Sequence, residues 1–122
     1  MAAAANARGV RAHLVVGDAS EETVAVECVT NACELGIWNI LINNVGVGNY
    51  KSLADTSAAE YDEMMNTNMR STFLFSRYAA PLMVQRGSGT ILMISSMAGR
   101  YGFANQSVYC ATKFAQVGLL KA

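Results

Sequence analysis

Three short apolar runs along the chain are separated by stretches in which apolar residues recur every three or four positions. The runs cover residues 12–16, 39–42 and 90–94, and the last is rich in β-branched side chains. Runs of this length, bounded by polar and glycine residues, are typical of buried strands. Strands that alternate with helices favour right-handed crossovers and a parallel sheet. The pattern therefore predicts an α/β fold with the order strand, helix, strand, helix, strand, helix.

The first predicted helix covers residues 21–35. Ser20 can cap its start, Glu21 and Glu22 lie at the positive end of its dipole, and Gly36 is a plausible stop. One face of this helix is apolar and carries Val24, Cys28, Ala32 and Leu35.

The second predicted helix begins at the capping box Ser57-Ala58-Ala59-Glu60 and reaches about residue 85, with a kink expected at Pro81. It has two apolar faces. The first carries Tyr61, Met65, Asn68, Thr72, Phe75, Ala79 and Leu82; the second carries Met69, Phe73, Ser76, Ala80 and Met83. A helix with two apolar faces is expected to be covered on both, by the sheet and by a second partner.

Tyr109 and Lys113 are the strongest candidates for chemistry, because residues four apart lie on one face of a helix. Thirteen positions before Tyr109, the third apolar run ends in Ser95-Ser96. An ammonium beside a phenol favours the phenolate by about 4 kcal/mol at about 4 Å and an effective dielectric near 20. A hydroxyl at the end of a strand and a Tyr/Lys pair on the next helix are the parts of a proton-transfer site.

Two further polar features that could belong to the same site occur earlier in the chain. The second apolar run leads into the turn Asn43-Asn44-Val45-Gly46, and Asn68 follows on the long helix. In this order the chain resembles the short-chain dehydrogenase/reductase family, which has an Asn-Asn-Ala-Gly turn followed by an Asn–Ser–Tyr–Lys tetrad. The resemblance runs from about Arg11 to the end, and Val45 in the turn is similar to the tropinone-reductase-like branch. An oxoacyl-reductase-like branch is the alternative.

The resemblance implies an NAD(P)-dependent oxidoreductase that interconverts a secondary alcohol and a ketone, with NAD or NADP as cofactor and no metal. It implies four catalytic residues. Tyr109 is the acid/base, Lys113 supplies charge and binds the ribose hydroxyls, Ser96 holds the substrate oxygen, and Asn68 anchors a water near Lys113. It further implies that Asp18, Asn43, Val45 and Gly46 contact the cofactor, together with Tyr109 and Lys113.

Other interpretations of the same residues stay open at this point. Ser95 competes with Ser96, which could instead cap the segment after the strand. Asn68 could be a core amide that the backbone satisfies, and the turn at residues 43–46 could be a plain tight turn. Asp18 could be a cap or turn residue instead of a cofactor contact. Three residues between Ser96 and Tyr109 could line a substrate pocket or lie on the surface: Arg100, Tyr101 and Phe103. His13 is expected to be a structural histidine, and Cys110 is expected to be a small apolar packing residue.

The family's opening Thr-Gly-x-x-x-Gly-x-Gly motif does not occur in these 122 residues. We therefore expect residues 1–122 to form a single incomplete domain, with residues 1–10 an alanine-rich tail or remnant helix. Its fold would be a partial Rossmann-like, doubly wound parallel sheet that lacks the N-terminal βαβ unit and the C-terminal strands. By resemblance to the sheet order 3-2-1-4-5-6-7, residues 12–16 would be its third strand.

Composition narrows the function further. The net charge is zero with 9 basic and 9 acidic residues, so no nucleic-acid partner is expected. No apolar run approaches the roughly 18 residues that span a bilayer, and no signal peptide is visible. Three cysteines without metal-ligand spacing suggest reduced thiols and a cytoplasmic protein.

Three functions compete at this stage. The first is the oxidoreductase, acting in its complete form on a small carbonyl or alcohol substrate. The second is a truncated, non-catalytic fragment, and the third is an assembly module; neither would bind cofactor. We expect a homodimer or homotetramer through the helix face that carries Met69, Phe73 and Ala80.

Overall fold

The computed structural model describes residues 2–122, so the first residue of the predicted alanine-rich tail lies outside the described part. The helices are α1 (Ala2–Asn6), α2 (Glu22–Leu35), α3 (Ala58–Met64), α4 (Ser71–Arg86) and α5 (Ser107–Lys121). The strands are β1 (Ile40–Asn43) and β2 (Thr90–Met93). A π-helical turn, Met65–Arg70, joins α3 to α4, and a 3-10 turn, Met97–Gly99, follows β2.

The two strands form a parallel pair. Ile40 lies opposite Thr90 and Asn43 opposite Met93, and the pairing extends by one bond at each end, from Thr90 N–H to the Asn39 carbonyl and from Ile94 N–H to the Asn43 carbonyl. The long helical segment between the strands makes the crossover that a parallel pair requires. The predicted α/β fold with a parallel sheet is confirmed.

The predicted strand at residues 12–16 is wrong. These residues have no regular structure, and Val16 is 87% exposed. A strand is stabilised by pairing with a neighbour, and no other strand of the described chain lies beside this segment. The apolar run alone therefore does not produce a strand here.

Helix α2 ends at Gly36 as predicted, where φ is 128°, but Ser20 does not cap its start. The N-cap position is Glu21, without a side-chain hydrogen bond, and the Ser20 N–H instead donates to Asp18 Oδ1 at 2.8 Å. The Ser20 carbonyl accepts from Arg70 Nε at 2.9 Å. Ser20 thus joins the loop before α2 to the π-helical turn.

The helical run from Ala58 to Arg86 begins at the predicted capping box. The Ser57 hydroxyl accepts from the Glu60 N–H, and the Glu60 carboxylate accepts from the Ser57 N–H. The run ends at Gly87, whose φ of 68° is left-handed. Pro81 lies inside α4.

The core lies where the long helical run meets α5 and the sheet, and it is polar as well as apolar. Its buried polar side chains include Asn68, Thr72, Thr112, Lys113 and Gln116. Met83 is also buried, so this member of the predicted second apolar face is covered by the chain's own residues. Within residues 2–122, no helix has the length and apolar character needed to cross a bilayer.

Candidate functional site

A cleft of about 510 Å³ opens at the carboxyl ends of β1 and β2. The loop after β1 forms one wall, the end of β2 forms the floor, and α5 forms the opposite wall. The lining includes Gly46, Gly48, Ser95, Tyr109 and Lys113. The carboxyl ends of parallel strands are where open α/β sheets bind their ligands.

Tyr109 and Lys113 lie together in this cleft, as the sequence predicted. Both come from α5, and the Lys113 Nζ atom lies 5.7 Å from the centroid of the Tyr109 ring. The Lys113 side chain is buried, and Nζ donates to the Ile94 carbonyl at 3.1 Å and to Gln116 Oε1 at 3.0 Å. Burial lowers the pKa of Lys113, because it disfavours the charged form.

Asn68 lies in the π-helical turn and is fully buried. Its Oδ1 accepts from the Val47 N–H at 2.7 Å, and its Nδ2 donates to the Val47 carbonyl at 2.8 Å and to Thr112 Oγ1 at 3.0 Å. The side chain therefore fixes the cleft loop to α5, as a core amide satisfied largely by backbone would. Because π-helical turns occur often at functional sites, the π-helical turn that carries Asn68 is a second indication of a functional site beside this cleft.

Two glycines let the loop after β1 approach Tyr109 and Lys113 closely. A Cβ on Gly46 would lie 3.2 Å from Asn68 Oδ1 and 3.5 Å from Lys113 Nζ. A Cβ on Gly48 would lie 2.9 Å from Tyr109 Cδ2. A side chain at Gly48 would therefore clash with the Tyr109 ring, whereas one at Gly46 would press mainly on the buried Asn68 amide.

The two adjacent serines are used differently. The Ser95 hydroxyl lines the cleft and donates to the Lys113 carbonyl at 3.3 Å, which joins the end of β2 to α5. Ser96 is exposed, and its Oγ accepts from the Ala98 N–H at 3.2 Å at the start of the 3-10 turn. Ser96 is not among the residues that line the cleft. It does perform the capping role that the sequence left open.

The remaining predicted cofactor residues are not among those that line the cleft. Asn43 is buried and donates from Nδ2 to Ser76 Oγ at 3.1 Å, so its side chain joins β1 to α4. Val45 is exposed. Asp18 is exposed, and the hydrogen bond from the Ser20 N–H lowers the pKa of its carboxyl.

Two of the three predicted substrate-side residues line a second depression. Arg100 and Tyr101 line a depression of about 550 Å³ together with Phe114, Val117 and Lys121 on α5. Phe103 is exposed and lies outside that lining. Cys110 is buried and contacts the Tyr101 carbonyl at 3.9 Å, and His13 lies in the exposed segment before α2.

Sequence reasoning missed the polar contacts beneath the cleft. Gln116 is hydrogen-bonded to Lys113, to Thr72 and to the Asn68 carbonyl, and Thr112 receives the Asn68 amide. The spacing of Gln116 and Lys113 could have indicated their contact, because Gln116 lies one turn after Lys113 on the same face of α5.

The cleft suits a polar ligand that carries hydroxyl groups. An ammonium has three donor hydrogens, and two of those on Lys113 are used within the protein. The third is available to a ligand, and the two glycines leave room for it next to Lys113 and Tyr109. The described residues contain no cluster of His, Cys, Asp and Glu suited to a metal.

The chain is similar in sequence to proteins of one known family. The family model described as short chain dehydrogenase matches residues 1–122. Sepiapterin reductase of Chlorobaculum tepidum is 34% identical over 94% of this chain and 48% of that protein. A tropinone reductase homologue of Arabidopsis thaliana is 37% identical over 88% of this chain and 41% of that protein.

Solved structures are similar too. A metagenomic short-chain oxidoreductase in complex with NADP matches with a TM-score of 0.88 and 30% identity, over 98% of this chain and 55% of that one. ElxO with NADP bound matches with a TM-score of 0.80 and 30% identity, over 84% of this chain and 42% of that one. The chain spans about half the length of the relatives it matches, so its fold is part of their Rossmann-type fold.

Proposed function

We propose, because the chain belongs to the short-chain dehydrogenase family, that the protein is an NAD(P)-dependent oxidoreductase that interconverts a secondary alcohol and a ketone. One observation carries the proposal. Tyr109 and Lys113 lie side by side in the cleft at the carboxyl ends of the two parallel strands. The family model and the NADP-bound structural neighbours support a nicotinamide cofactor.

The nicotinamide cofactor supplies or accepts a hydride when it is bound. Tyr109 donates a proton to the oxygen of the carbonyl substrate, or removes it from the alcohol in the reverse direction. Lys113 keeps a positive charge beside the phenol, which favours the phenolate after the proton has left. Its third N–H, which is not used within the described part of the protein, is proposed to bind a ribose hydroxyl.

Ser96 is the proposed residue for holding the substrate oxygen, because it directly follows Ser95, which lines the cleft. Its Oγ accepts from the Ala98 N–H, which leaves its own O–H free to donate. Ser95 is less suited, because its hydroxyl donates to the Lys113 carbonyl. Asn68 then acts by placing the loop at Val47 rather than by touching the substrate.

Gly46 is the best-supported cofactor contact, since it lines the cleft within reach of Lys113. Val45 and Asp18 are proposed for the adenosine half because both are exposed. Asn43 contributes by holding the turn to α4 through Ser76. NAD and NADP are both retained as cofactors.

Replacing Tyr109 by phenylalanine tests the function directly. In the protein as it is naturally expressed, Tyr109→Phe should lower kcat/KM for carbonyl reduction by about 10²–10⁴-fold, because the proton donor is lost. Cofactor fluorescence should show that binding persists. Tyr61→Phe, an exposed tyrosine on α3, is the matched control and should keep full activity.

Two results would contradict the assignment. Normal turnover by Tyr109→Phe would exclude Tyr109 as the proton donor. An unsubstituted protein that binds neither NAD(H) nor NADP(H) would favour the non-catalytic alternative.

We further propose that the helix face with Met69, Phe73 and Ala80 is a homodimer contact. Phe73 is 43% exposed, and a depression of about 320 Å³ beside it is lined by Met65, Asn66, Met69 and Arg70. Exposed apolar surface on a helix is covered favourably by a second copy of the same face.

Placing a negative charge at Phe73 tests this proposed dimer contact. Phe73→Asp should convert a dimer or tetramer to a smaller species in sedimentation, because it buries an unpaired carboxylate. Val26→Asp on α2, also partly exposed, should leave the mass unchanged. A protein that is monomeric before substitution would count against this contact.

A further inference from the structure

Gln116 makes three hydrogen bonds from a nearly fully buried position. It is 1% exposed. Its Nε2 donates to the Asn68 carbonyl at 2.9 Å and to Thr72 Oγ1 at 2.9 Å, and its Oε1 accepts from Lys113 Nζ at 3.0 Å. The amide therefore connects the π-helical region to the buried ammonium.

The groups around this ammonium are neutral acceptors. Besides Gln116, Lys113 Nζ contacts the Ile94 carbonyl at the end of β2. Tyr109 and Tyr50 are the titratable side chains that line the cleft with Lys113, and no carboxylate is among the lining residues. Burial is the cause that lowers the pKa of Lys113. With no carboxylate there, the amide oxygen of Gln116 is a main source of stabilisation for the charge.

Three donors bind the two oxygens of Asn68. Its carbonyl accepts from Gln116 Nε2 and from Thr72 Oγ1 at 2.8 Å, and its Oδ1 accepts from the Val47 N–H. The resemblance implied a water anchored by Asn68 next to Lys113. The Gln116 side chain links these two residues directly: its Nε2 donates to the Asn68 carbonyl and its Oε1 accepts from the Lys113 ammonium.

We propose that Gln116 is a positioning residue that holds the Lys113 ammonium in its charged form and orients it toward Tyr109 and the cleft. Its benefit to catalysis rests on the proposed function, whereas its link to Lys113 does not. Two fixed acceptors, one on α5 and one at the end of β2, leave one N–H direction free. The amide supplies an acceptor without adding a negative charge that would compete with the phenolate.

The test is the titration of Lys113, followed by NMR of its side-chain 13Cε and 15Nζ atoms in the naturally expressed protein. Gln116→Met keeps the length and removes the acceptor, so the Lys113 midpoint should fall by about one pH unit, a tenfold weaker protonation. Gln116→Glu adds a carboxylate and should raise the midpoint above that of the unsubstituted protein. Gln85→Met, at an exposed position on α4, is the control and should change nothing.

Unchanged midpoints in both Gln116 variants would overturn the proposal. A measurement without substitution guards against variants that fail to fold: nuclear Overhauser contacts should join the Gln116 side-chain amide protons to the Lys113 side chain in the unsubstituted protein, and their absence would also overturn the proposal. Cofactor binding is measured on the same samples. A protein that binds no nicotinamide cofactor, but whose Lys113 midpoint responds to Gln116, would reject the proposed function and support the link.

Discussion

Gly48 lies against the ring of Tyr109, so one added methyl group tests how closely that ring must be placed. A Cβ on Gly48 would lie 2.9 Å from Cδ2 and 3.2 Å from Cε2 of the ring. The ring must move, because such contacts are too short. Gly48→Ala should lower kcat by about 10–100-fold with the cofactor affinity less affected, since small misplacements of a reacting group are costly.

Gly102→Ala is the matched control, because a Cβ there meets no atom within 4 Å. Steady-state kinetics of both variants, with thermal unfolding to confirm that they fold, would check the prediction. Wild-type kcat in Gly48→Ala would show that the Tyr109 ring has freedom to move without loss.

At the scale of residues, the sequence predicts contacts between residues that are close together along the chain. The spacing of Tyr109 and Lys113 placed both on one helix face, and the structure places both in the cleft. The contact of Gln116 with Asn68 joins positions 48 apart, and nothing in the local pattern indicates it. Ser95 and Ser96 are adjacent and carry the same hydroxyl group, so only the tertiary structure shows that Ser95 is the one that hydrogen-bonds to α5.

At the scale of elements, the start of α3 depends on a charged capping box. Lys51 Nζ lies 2.9 Å from Glu60 Oε1, and Glu60 also accepts from the Ser57 N–H. The hydrogen bond from Lys51, followed by that from Ser57, lowers the pKa of Glu60 from 4.5 to about 2. The charged carboxylate is therefore the form that the folded state prefers.

This shift fixes the sign of a pH dependence. Because the folded pKa lies below the ordinary value, the stabilisation is fully present above about pH 4.5 and is lost as the pH falls toward about 2. Glu60→Gln should be less stable than the unsubstituted protein at pH 7, and the difference should shrink on acidification. Urea unfolding at several pH values measures it. Glu63→Gln, on the same helix but outside the capping box, is the control, and a difference that stays constant with pH would contradict the prediction.

Helices were easier to predict than strands because their signals are local. Ser57, Glu60 and Gly36 act within one turn of a helix end, so α2 and α3 begin or end within one residue of their predicted positions. The run at residues 12–16 has the composition of a strand, but pairing requires a neighbour that no composition can supply. The π-helical turn was not predicted, since one extra residue in a turn hardly changes the apolar spacing.

At the scale of the whole molecule, one face of the sheet is open. Ile40 and Ile42 are each 58% exposed, and Leu92 and Ile94 are 44% and 48% exposed. Alternate residues of a strand share a face, and Ile42 lies opposite Leu92, so these four side chains form one apolar patch. The other face packs against α4.

The 122-residue chain produced by itself should therefore associate through this patch, because an uncovered apolar sheet face with free strand edges favours intermolecular pairing. Ile42→Lys combined with Leu92→Glu should raise the fraction of soluble monomer, since the two new charges lie opposite each other and attract. Light scattering after size exclusion measures the mass, and an apolar dye reports the exposed patch. The matched control is Val84→Lys on α4, which adds a charge at an exposed position away from the sheet. An unsubstituted chain that is a monodisperse monomer with cooperative unfolding would show that the open face is tolerated.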